Sequence, residues 1–136
     1  MPHGDGREQQ ARAAEEVFTL EWERPEPDAL VVRAGGVIDI ASARQLREGI
    51  AAAHEVSAHP PDRLVLDLTG VTFLDSAGLA VLVETASRCS QDGCRFALAC
   101  TSRTVLSPLK MTGLDRVLTV VSSVEDALAV RDGATS

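Results

Sequence analysis

Apolar and polar residues change their period along this chain, and the changes mark its elements. Phe18, Leu20 and Trp22 alternate with Thr19, Glu21 and Glu23, the two-residue period of a half-buried strand. Arg24-Pro-Glu-Pro-Asp reads as a turn and Ala29-Leu-Val-Val-Arg as a returning strand, so this stretch predicts a hairpin. Gly35-Gly36 predicts a bulge or bend before Val37-Ile-Asp-Ile. Asp39 to Ser42 carries helix-start chemistry, and Ala43, Leu46, Ile50 and Ala53 follow on one helical face. His59-Pro-Pro-Asp ends that unit. Leu64, Leu66 and Leu68 then alternate over residues 63–69, and Leu79, Leu82, Val83 and Ala86 return to helical spacing until Asp92-Gly93. Beyond this, residues 95–100 predict a short strand and residues 103–112 a weak helix stopped by Gly113. Residues 117–121 predict a strand, and residues 124–131 a last helix opened after Ser122-Ser123.

Strands and helices alternate from residue 63 onward, which predicts parallel pairing through right-handed crossovers, with the opening hairpin as an antiparallel edge. The fold class is therefore α/β, a mixed sheet of about five strands with helices mainly packed on one face. A chain of 136 residues suits one core. Residues 1–15, polar and Ala-rich, read as a tail; residues 16–132 read as the single domain, and residues 133–136 as a C-terminal tail.

Charge and composition remove several classes of function. The formal charge is -7, and aromatics amount to one Trp, three Phe and no Tyr. An acidic chain so poor in stacking side chains argues against nucleic acid as a partner. No apolar run is long enough to span a bilayer, and residues 1–10 hold no apolar leader core, so no direct membrane insertion is expected. The three cysteines are an odd number without a CxxC pair, which fits reduced thiols and a cytoplasmic location. Cys89 and Cys94 flank the Gln91-Asp-Gly turn and could approach each other; two idle thiols are the plainer reading, a redox role the other.

The candidate chemistry lies at Asp75-Ser76, where the second strand–helix unit turns its corner. Ser76 stands where a helix N-cap is expected, and a helix start favours an anion. Phosphorylation would make that serine an anion; the competing reading is a hydroxyl that only caps the helix. Asp75 could orient Ser76, bind a kinase's Mg²⁺ or cap the helix itself. Asp39 could hold the neighbouring loop, face a partner or simply lead its helix. Gly78 could admit a partner backbone, or be required because a Cβ would clash internally, and Gly70 reads as a turn. Catalysis fits poorly. A serine nucleophile needs a base within reach, yet His3, His54 and His59 lie in the tail and around the end of the first helix. No GxSxG elbow is present, and His and Cys do not cluster at metal-ligand spacing, so a small serine hydrolase is a disfavoured alternative.

Three segments in order, Gly36-Val-Ile-Asp-Ile-Ala-Ser-Ala, Leu66-Asp-Leu-Thr-Gly-Val-Thr-Phe-Leu-Asp-Ser-Ala-Gly-Leu and Thr112-Gly-Leu-Asp-Arg-Val-Leu leading into Val124-Glu-Asp-Ala-Leu, resemble the STAS domains. Within them the chain resembles the bacterial anti-sigma factor antagonists, over roughly residues 17 to 131. The resemblance implies a protein that is not an enzyme. It would bind an anti-sigma factor with serine-kinase activity while unphosphorylated, be switched off by phosphate on Ser76, and be reset by a phosphatase. It implies a docking surface of Asp39, Asp75, Ser76, Ala77, Gly78 and Leu79. The domain itself would hold no cofactor, ATP and Mg²⁺ being the partner kinase's. Ala77 departs from the family's usual Ser or Thr and leaves Ser76 as the single hydroxyl there. Pro108 interrupts the third helix and is tolerated if Ser107 caps and Pro108 opens it. A non-phosphorylated STAS subunit of a transporter-associated or stressosome assembly is the rival that shares the fold.

Overall fold

The computed structural model describes residues 17–56 and 60–129. Five strands form one sheet in chain order, β1 (Thr19–Glu26), β2 (Ala29–Ile38), β3 (Arg63–Leu74), β4 (Arg95–Ala99) and β5 (Thr119–Val121). β1 pairs antiparallel with β2, and every later pair is parallel. The crossovers are α1 (Ile40–Glu55), α2 (Ser76–Asp92) and α3 (Arg103–Thr112), the last followed by a 3₁₀ turn (Leu114–Arg116); α4 (Val124–Ala129) comes after β5. The α/β class and the mixed five-stranded sheet agree with the expectation from sequence. The proposed tails, His59 and Arg131 lie outside the described residues.

Crossovers of one hand that always step to the next strand must place their helices on the same face. Leu30, Val32, Leu64, Leu66 and Leu98 accordingly form one core with Leu46, Ile50, Val81, Leu82 and Leu109 of α1, α2 and α3. Val31, Val65 and Ala99 point the other way and are buried with Ala127 of α4. The central strands are therefore covered on both faces. Val65 and Asp67 are buried beside the leucines they separate, so the alternation in β3 does not mark a half-exposed strand. Asp67 is satisfied there by the Thr69 N–H at 3.0 Å and the Thr69 hydroxyl at 2.7 Å.

Several boundaries differ from the sequence reading. β1 runs on through Pro25 to Glu26, and the register shifts between Glu23 and Glu26, where proline has no N–H to give. Gly70 is a strand residue facing Gly35, not a turn; the bulge expected at Gly35-Gly36 is a register shift against β3. Gly36 has φ +84°, and a Cβ there would lie 1.9 Å from the Val17 carbonyl oxygen. In α2 the inward residues are Gly78, Val81, Leu82, Thr85 and Cys89, while Val83 faces solvent. Ser102, not Ser107, caps α3, its hydroxyl accepting the Thr104 N–H at 3.1 Å. Pro108 thus lies inside a ten-residue helix. Burial of Val105 and Leu109 on either side holds it there, and the carbonyl left without a donor belongs to exposed Thr104, where water can reach it. Val117 precedes β5 because the 3₁₀ turn intervenes.

Candidate functional site

Two strand-to-helix corners lie side by side at the carboxyl edge of the sheet, the edge where open parallel sheets place their sites. Ile38 pairs with Leu74, and the Asp75 N–H donates to the Ile38 carbonyl at 3.1 Å, so the β2–α1 and β3–α2 turns form one unit. An aspartate caps each helix. Asp39 accepts the N–H groups of Ala41 and Ser42, each at 3.1 Å. Ser42 closes a capping box: its hydroxyl accepts the Asp39 N–H at 2.8 Å and donates to the Val37 carbonyl at 2.7 Å. The Ser42 N–H and hydroxyl, with the Ala41 N–H, hold the Asp39 carboxyl below its usual range. Asp75 accepts the N–H of Ala77 at 2.9 Å and of Gly78 at 3.2 Å.

Ser76 is therefore not the N-cap but the first residue of the helix proper, and its side chain is exposed. The aspartate takes the two amides that a capping serine would have used. Among the described residues the Ser76 hydroxyl has no hydrogen bond and is free for other chemistry. Behind it Ala77 and Leu79 pack partly against the core. Gly78 is buried, and a Cβ there would come within 2.3 Å of Leu74 Cδ1 and 2.8 Å of Ile38 Cγ2. Internal packing thus accounts for this glycine. The six residues named from sequence lie together at this corner, with Asp39 and Ser76 exposed, Asp75, Ala77 and Leu79 half-buried, and Gly78 buried.

Two apolar side chains that the sequence pattern did not single out complete the surface. Ile40, the first residue of α1 as Ser76 is of α2, is 79% exposed, and Phe73 is 48% exposed. Ile40 was legible in principle: an apolar residue directly after a capping aspartate lies beyond the edge of the sheet and has no layer to pack on. The corner thus presents a free hydroxyl among carboxylates and apolar groups. His54 lies near the far end of α1, about 21 Å along the helix from Ile40, so it supplies no base to Ser76.

The STAS domain family matches residues 23–127. The chain belongs to this family. Among STAS proteins it is 36% identical over 104 residues to the anti-sigma-F factor antagonist RsfB of Mycobacterium tuberculosis, an overlap of 76% of this chain and 82% of that one. The crystal structure of an anti-sigma factor antagonist from Mycobacterium paratuberculosis superposes with a TM-score of 0.73 at 30% identity, covering 83% of this chain and 92% of the other. The antagonist SpoIIAA in its unphosphorylated form shares the fold at 21% identity, with a TM-score of 0.67 over 81% of this chain and 93% of its own. The chain therefore stands among the anti-sigma factor antagonists of the STAS family. Among its described residues no helix is long and apolar enough to cross a membrane.

Proposed function

We propose that this STAS domain binds an anti-sigma factor that is also a serine kinase, and that phosphate on Ser76 ends the association. The observation that carries the reading is the division of labour at the corner: Asp75 caps the helix and Ser76 leaves its hydroxyl in solvent. A hydroxyl held on a rigid first turn, with no bond of its own to break, suits in-line transfer of a phosphoryl group. ATP and Mg²⁺ belong to the kinase. Phosphate adds about -1.5 to -2 charges beside the Asp75 carboxylate, which already holds the Ala77 and Gly78 amides. The dianion must then project into the docking surface, where Ile40 and Phe73 would contact the partner. A phosphatase restores the hydroxyl. The similarity to RsfB supports the partner class, and the solved phosphorylated form of SpoIIAA supports the modification.

The test is calorimetric affinity of the unmodified, phosphorylated, Ser76→Ala and Ser76→Asp forms for the cognate anti-sigma factor, with intact mass and site mapping after an ATP reaction. Phosphate appears on Ser76; Ser76→Ala binds without being modified; the phosphorylated and Ser76→Asp forms bind at least tenfold more weakly. Phosphate on Ser42, Ser107 or Thr72 instead, or equal affinity of the modified and free forms, removes the switch. Tight association with a transporter or a very large assembly, and no modification, would favour the rival STAS role.

A further inference from the structure

At the opposite end of α2 from Ser76 the chain makes a tight C-cap. Gly93 takes the left-handed conformation at φ 72°, and the Cys94 N–H donates to the Cys89 carbonyl at 2.8 Å, the six-to-one bond of a Schellman motif. In that motif the residues at the two ends of the bond bring their side chains together. Here both are cysteines, and each shifts the other's titration, Cys89 downward and Cys94 upward. Covalent geometry across a 2.8 Å hydrogen bond limits the Cα separation to about 6.7 Å, inside the range that disulfides span. Both thiols are free.

We propose that Cys89 and Cys94 are a dithiol that a small peroxide oxidises to an intramolecular disulfide, clamping the end of α2 to the residue that leads into β4. Cys89 lines a cleft of about 50 Å³ between α1 and α2, with His54, Arg88 and the Arg47–Glu84 ion pair on its walls, which has room for a peroxide-sized molecule. Cys89 is the attacking thiol, because it, and not Cys94, lines the cleft; Asp92 acts on both thiols, while Arg88 acts on Cys89 and Asp62 on Cys94. Its thiolate takes one oxygen of hydrogen peroxide, breaking the O–O bond and releasing hydroxide, which leaves as water. Cys94 then displaces the oxygen of the resulting sulfenic acid as a second water, and the S–S bond forms. Two thiols and one peroxide thus give one disulfide and two waters. The ring closes over six residues and needs no opening of the sheet. Cys100 is an internal control: it is buried beyond the far end of β4, about 20 Å along the strand from Cys94.

The folded full-length chain is treated with hydrogen peroxide, free thiols are blocked, and intact mass and non-reduced peptide mapping are recorded. The expected result is a loss of about 2 Da, a fall from three blockable thiols under denaturation to one, and a Cys89–Cys94 cross-linked peptide that dithiothreitol reverses. Cys94→Ala should show no such loss and should accumulate an oxygen adduct on Cys89. Because the wild-type peptide map decides the linkage, the proposal stays open to refutation even if the variant folds poorly. No mass change, disulfide-linked dimers or a bridge to Cys100 would overturn it. None of these readouts depends on Ser76 or on a partner.

Discussion

Replacing Asp75 and Ser76 in turn separates the residue that holds the α2 terminus from the one that does chemistry there. Asp75 accepts two backbone N–H groups at 2.9 and 3.2 Å from a half-buried position. Asp75→Ala should therefore cost about 1–2 kcal/mol, the upper part of the range for a lost N-cap. Ser76 is exposed at the first helical position, where alanine is tolerated as well as serine, so Ser76→Ala should stay within about 0.5 kcal/mol of wild type. Asp75→Asn keeps a capping oxygen and should lose only a few tenths of a kcal/mol. For a domain of this size about 1 kcal/mol moves Tm by roughly 4 °C, so the alanine pair should differ by at least about 2 °C. Urea unfolding followed by circular dichroism gives the free energies, and calorimetric scans give Tm. A cost of about 1 kcal/mol or more for Ser76→Ala with none for Asp75→Ala would show that the serine is the cap and would refute the assignment.

Gly36→Ala should destabilise by about 3 kcal/mol or more, since it combines a positive φ with a Cβ driven into the Val17 carbonyl; urea unfolding checks this, with Gly93→Ala, where a Cβ meets nothing within 4 Å, as the milder control. Because its folded pKa is lowered, Asp39 contributes stability that is fully present above its unfolded pKa of about 3.9 and is lost as pH falls through the lower folded value. Asp39→Asn should flatten the stability–pH profile between about pH 5 and pH 2 by losing this contribution on the neutral side, with little change at the acid end; an unaltered profile would show that this cap does not titrate as described. With a net charge of -7, the chain should show no salt-sensitive binding to duplex DNA by fluorescence anisotropy, and a sub-micromolar complex at physiological salt would overturn the charge argument.

What the sequence discloses and what it hides divide along a physical line. The inward face of α1, Ala43, Leu46, Ile50 and Ala53, is legible because a helix on a sheet repeats one stripe for several turns. The choice between Asp75 and Ser76 as cap is not, since adjacent residues of equal capping rank differ only in which side chain reaches two amides. Val83 looks inward by spacing, but the close seat of Gly78 on Leu74 and Ile38 rotates α2 toward Val81 and Cys89. Pro108 breaks a local rule that burial of Val105 and Leu109 overrides. α4 is visible as a helix; that it crosses to the other face is a tertiary fact, carried by Ala127 against Val31, Val65 and Ala99. At the site, the motif locates Ser76, whereas its freedom from capping depends on geometry alone.

A sheet whose strands lie side by side in chain order can be laid down as the chain leaves the ribosome. Each new strand meets a finished neighbour, although every parallel pairing must wait for the crossover helix before it to close. The second face is the exception. Val31, Val65 and Ala99 are made early, but their cover arrives with Val124–Ala129, tied down by Arg63 donating to the Leu128 carbonyl at 2.5 Å. Until those last residues emerge, the nascent domain carries an open apolar strip on an otherwise assembled sheet. A product ending at residue 122 should therefore form most of the fold and yet aggregate, which places the solubility of this domain in its final helix.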